Sequence, residues 1–189
     1  MNNKIIQIFS IILGWILMVG LLGFLASRWS LFCAYIYFGK KPHCFYWGNM
    51  LKNCCIVSLE AIKEEPIYRS LPFFVATLIV IPLKSKNAKI IVITICVILI
   101  VMIQLQFGYK HFDPVYRGTP IWLHIKLQGV VGILLAITYG LTFYVAMKKL
   151  YKKSKYPILT FVICHIIATI TSISVHAINN ILIVIAESF

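Results

Sequence analysis

The fold class this chain predicts is an all-α, polytopic membrane helix bundle, and three observations carry that expectation. Apolar residues fill 61% of its 189 positions, charged residues only 12%, and mean hydropathy is +0.92. A soluble domain is about half apolar and about a quarter charged. Long apolar runs recur along the chain, several near the roughly 20 residues that cross a bilayer as helix. Its 18 Lys and Arg, against five Asp and Glu, concentrate in the short links between those runs. In a soluble chain a net charge of +13 would suggest nucleic acid. Distributed in this way it marks membrane orientation and contact with anionic headgroups, and no nucleic-acid partner is expected.

The chain reads as one integral-membrane domain, residues 1–189, with about six transmembrane helices and one short interfacial or re-entrant segment. The first span, 5–26, is too long for a signal-peptide core and lacks a persuasive small-residue cleavage site, so it is read as retained. Residues 31–38 are apolar but too few to cross, and Tyr35, Tyr37 and Phe38 suit the headgroup level. A second span over 44–63 carries Asn53, Ser58 and Glu60, which calls for shielding by protein. Pro66 should break or kink the backbone after it, because proline has no amide hydrogen and crowds the preceding turn.

The third span covers 67–83 and the fourth 90–107, the latter apolar except for Gln104 and Gln106. Polar, turn-prone residues make 111–120 a loop. The fifth span, 121–147, holds Gly129, Gly132 and Gly140, small residues that let membrane helices pack closely. The most basic link, 148–155, leads to the last span, 156–186. If 28–41, 84–89 and 148–155 share a side, eleven of the 18 basic residues lie there, and that side is expected to be cytoplasmic. The expected location is the plasma membrane of a bacterium, multi-pass.

Candidate chemistry begins at Glu64 and Glu65, adjacent carboxylates in a chain with only five acids. Ionisable groups at membrane depth are expensive and default to a functional reading. Glu65 and Arg69 are four apart and can pair on one helical face, leaving Glu64 available. The competing reading is a helix cap that reaches the interface. His111 borders a polar loop and would ordinarily be solvated. His176 and Asn180 share a face of an apolar helix, where the plain alternative is an interhelical hydrogen bond. Glu64 lies twenty residues before Lys84, His111 twenty-two after Lys89, and His176 twenty-one after Lys155. At about 1.5 Å per residue all three reach a similar depth, roughly 30 Å from the basic side.

Glu64-Glu65-xxx-Arg69, Phe107-xxx-His111 and His176-xxx-Asn180 resemble, in order, the EExxxR, FxxxH and HxxxN motifs of the CAAX protease and bacteriocin-processing (CPBP, Abi) family of intramembrane endopeptidases. The resemblance covers about residues 53–181. It implies Glu64 as general base, His111 positioning and polarising the water, and His176 with Asn180 donating to the oxyanion. Glu65 and Arg69 would hold the helix end, with Phe107 packed behind His111. A substrate would be a membrane-associated peptide or lipidated protein: a bacteriocin leader, a pheromone precursor or a prenylated tail.

Family members have been described both as metalloproteases and as metal-independent glutamate proteases. Glu64, His111 and His176 could form a two-His, one-carboxylate zinc site, so a divalent metal stays open. His165 is the alternative to His176, since His165-Ile-Ile-Ala-Thr169 is a degenerate form of the last motif. It lies about 16 Å from the common layer along the helix, which favours His176. His43 and His124 are expected near the interface. None of the six cysteines forms a CxxC pair, and they read as small buried apolar residues. The alternative function is a non-catalytic immunity or regulatory protein on the same fold. A transporter is disfavoured by the lack of two similar halves.

Overall fold

A computed structural model describes the backbone of residues 3–38, 50–110, 121–151 and 154–187, and the side chains of 6–32, 50–107, 129–151 and 154–186. Its elements are α1 (Asn3–Phe38), α2 (Met50–Glu65), a π-helical turn (Pro66–Ser70), α3 (Leu71–Val80), α4 (Lys86–Lys110), α5 (Ile121–Leu150) and α6 (Pro157–Glu187). Among the described residues there is no strand. Four helices are long and apolar enough to cross a membrane: Ile6–Phe32, Lys86–Phe107, Gly129–Leu150 and Pro157–Ala186. The protein is therefore a helical membrane protein.

Two expectations about helix ends differ. The first helix does not stop at Arg28; α1 runs on through Phe38. The Arg28 guanidinium sits 4.9 Å from the centre of the Phe24 ring, a placement that accommodates the charge without ending the helix. The six-crossing threading also requires a reversal near Pro66, and the backbone instead stays helical from Met50 to Val80.

Proline chemistry explains how. Pro66 and Pro72 each lack an amide hydrogen, so the helix between them cannot keep its regular bonds. It widens: the Leu71 amide bonds to the Pro66 carbonyl, five residues back, which is a π turn. Polar α2, with Lys52, Lys63 and three glutamates, keeps this stretch out of the group of apolar spans.

Helix starts elsewhere follow side-chain caps. Ser85 accepts from the Ala88 amide at the head of α4, and Ser154 accepts from the Tyr156 amide just before α6.

The chain divides into two compact units, one of residues 1–59 and 174–189, the other of residues 60–173. In the first, α1 meets the second half of α6 at Gly23. A Cβ there would lie 2.5 Å from Ile178 Cγ2, so only glycine allows that approach. In the second unit, α4 and α5 pack along each other. Gly132 is the tight point, where a Cβ would come 3.2 Å from Gln104 Oε1 and 3.3 Å from Phe107 Cδ1.

Candidate functional site

The second unit encloses the Glu65–Arg69 pair. Arg69 Nη1 donates to Glu65 Oε1 at 2.9 Å, and both residues have no exposed surface. An arginine stays charged, so burying it demands a counter-charge. Glu65 supplies it, and Ser172 on α6 donates to the other carboxylate oxygen, Oε2. Glu64 is half-buried and lies close enough for its charge to act on the same guanidinium.

Arg69 also reaches α4. Its guanidinium carbon lies 4.1 Å from the centre of the Phe107 ring, and Tyr68 meets that ring edge-on at 5.1 Å. Such cation–ring contacts gain strength where water is excluded. Gln104, one turn earlier on α4, donates its Nε2 to the Tyr68 carbonyl at 2.9 Å. In an α-helix that carbonyl would bond the amide of residue 72, which is proline. The side chain of Gln104 therefore completes a bond that the Pro72 backbone cannot make.

Polar groups continue along α3 and α6 in the same unit. Ser70 Oγ and Thr169 Oγ1 are 2.6 Å apart. His165 is bonded through Nδ1 to the Tyr139 hydroxyl at 2.7 Å and through Nε2 to Thr77 Oγ1 at 3.2 Å. The Thr77 hydroxyl donates to the carbonyls of Phe73 and Phe74, so its oxygen accepts from His165 Nε2–H. By elimination Nδ1 accepts from Tyr139, an assignment made from partners. Rings of Phe143, Phe161 and Phe74 surround the imidazole, with centroids 4.1, 4.7 and 5.1 Å away.

The first unit contains His176 and Asn180. His176 is buried, while Asn180 is half-buried, accepts from Asn179 Nδ2 at 2.9 Å and donates to the Val57 carbonyl at 3.4 Å. His111 and His43 lie outside the described residues, as does the expected loop 111–120, and the His124 side chain does too. Among the described residues no three His, Cys, Asp or Glu side chains group as a metal site requires; the set Glu64, His111 and His176 includes His111, which lies outside them. Of the residues singled out in the sequence, the fold joins Glu65, Arg69 and Phe107. The partners that sequence reasoning missed are uncharged: Ser172, Tyr139, Thr77 and Ser70. Gln104 carried a signal, as one of two amides in an apolar run, with Pro72 unable to donate to the Tyr68 carbonyl.

Fold and site define a helical membrane protein with a fully buried ion pair clamped between helices. No protein-family model, curated protein or solved structure matches the chain.

Proposed function

We propose that this protein is an intramembrane endopeptidase that hydrolyses a peptide bond in a membrane-associated peptide or lipidated protein. One observation supports the reading above the rest. Arg69, from the motif at 64–69, rests on Phe107, the first residue of the motif at 107–111, so two short patterns 38 positions apart meet in one buried cluster.

In this reading Glu64 takes a proton from the attacking water, and its placement next to a poorly solvated, pinned neighbour suits a general base. His111, four residues beyond Phe107 in sequence, would orient that water. The motif resemblance names His176 and Asn180, both in the first unit, as donors for the tetrahedral oxyanion. Glu65 takes no part in proton transfer, since both its oxygens are engaged; with Arg69 it fixes the turn from which Glu64 projects. His165 is the second candidate for the last imidazole, favoured by its place in the same unit as Arg69 and by its fixed tautomer. Insertion uses the four long apolar helices in a bacterial plasma membrane.

The test compares membranes of cells expressing the wild type, Glu64→Gln or no protein, by mass spectrometry of membrane-peptide termini. New termini that need the wild type and vanish with Glu64→Gln support the peptidase. A biological effect such as bacteriocin protection that persists in Glu64→Gln, with no change in termini, favours the non-catalytic immunity reading.

A further inference from the structure

Within the second unit, helix contacts bring two lysine-bearing turns to one end. Along α3 and α6 the partners run in opposite directions, Ser70 with Thr169 and Thr77 with His165. The C-terminal end of α3 is therefore at the level of the start of α6. Helix α5 runs with α3: Gly132 abuts Gln104, which bonds the Tyr68 carbonyl, while Gly140 abuts Phe73. The ends of α3 and α5 thus coincide by two independent sets of contacts. The turn leaving α3 carries Lys84 and leads into Lys86 and Lys89 of α4. The end of α5 and approach to α6 carry Lys148, Lys149 and Lys155.

All but Lys89 are exposed, and Lys89 is partly so. Neither turn contains a carboxylate: the chain's acids are Glu60, Glu64, Glu65, Asp113 and Glu187. Tyr144, one turn before Lys148, and Tyr156, just after Lys155, are 62% and 69% exposed, Tyr151 within the turn is 42% exposed, and Ile158 further along α6 is 81% exposed. Lysine, then tyrosine, then bare aliphatic surface is the order of charges and rings at a lipid headgroup boundary.

We propose that these two turns form one composite site for anionic phospholipid headgroups, with Lys84, Lys86 and Lys89 contributing from one side and Lys148, Lys149 and Lys155 from the other. An ammonium is a compact donor that suits a phosphate oxygen, and basic residues next to a bilayer each strengthen anionic-lipid attraction. The site is independent of any peptidase activity.

The test is native mass spectrometry of the full chain in neutral detergent with equal amounts of dioleoylphosphatidylglycerol and dioleoylphosphatidylcholine. The expected result is preferential retention of phosphatidylglycerol that falls as sodium chloride rises. Lys84→Gln/Lys86→Gln/Lys89→Gln and Lys148→Gln/Lys149→Gln/Lys155→Gln should each lower that retention by about tenfold or more. The matching arginine triples should keep it, which separates charge loss from misfolding. Equal retention of the two lipids by the wild type, or no salt dependence, overturns the proposal without reference to any variant. Sensitivity to only one triple overturns the composite site, and displacement of the lipid by millimolar inorganic phosphate would make it a free-phosphate site instead.

Discussion

At the scale of single residues, the buried charges set the terms. Arg69 makes one carboxylate bond and contacts with the Phe107 and Tyr68 rings, and its Nε and Nη2 have no hydrogen-bond partner, so its stability depends heavily on Glu65. Removing one member of a buried pair strands the other, at about 3–5 kcal/mol. Glu65→Gln and Arg69→Met should each lower resistance to denaturant in detergent by about that amount. The double variant Glu65→Leu/Arg69→Met should recover a good part of the loss, because it leaves no uncompensated charge. Ser172→Ala withdraws a single donor from a carboxylate and should cost about 1–3 kcal/mol in the same measurement. The four-residue spacing of Glu65 and Arg69 made their pairing legible in the sequence. Ser172 was not legible, since nothing distinguishes a serine that serves a carboxylate from one that bonds its own helix.

At the scale of elements, the unusual feature is the helix that survives two prolines. Sequence reasoning placed a break or kink at Pro66, which is what proline does when nothing compensates for its missing hydrogen. Here the π turn absorbs the first proline and the Gln104 side chain answers the second. That account makes a coupled prediction. Gln104→Leu should destabilise the protein by about 1 kcal/mol, since it removes the hydrogen bond to the Tyr68 carbonyl. In a Pro72→Ala background, whose backbone can supply the amide, the same substitution should cost much less. Equilibrium unfolding of all four proteins closes the cycle, and strictly additive costs would refute the link. Gly132→Ala should cost about 1–3 kcal/mol by pushing on Gln104 and Phe107. The packing role of Gly129, Gly132 and Gly140 was readable from their type and position. The continuity of α1 past Arg28 was not, because hydropathy marks where an apolar run ends and not where the helical backbone does.

For the whole molecule, composition and charge spacing sufficed to read a helical membrane protein, and the bounds of α4, α5 and α6 fall close to those expected. Connections between distant polar residues were less legible. The sequence alone orders positions by depth along each helix, but which faces meet depends on packing, and so the Tyr139, His165 and Thr77 cluster could not be read in advance. The contacts of the second unit imply that the turns after α3 and α5 face one side of the membrane. In a cysteine-free background, Ser85→Cys and Ser154→Cys should react with an impermeant maleimide from the same side. Labelling from opposite sides would contradict the helix directions given above.

Under the proposed peptidase function, the central requirement is that Glu64 and His111 come close enough to act on one water. Its most direct measurement is cross-linking of Glu64→Cys/His111→Cys, in the same cysteine-free background and in native membranes, by a short bifunctional thiol reagent. The account expects an efficient intramolecular cross-link that Glu64→Cys with Ser154→Cys does not give. Equal or weaker cross-linking of the Glu64/His111 pair would contradict it.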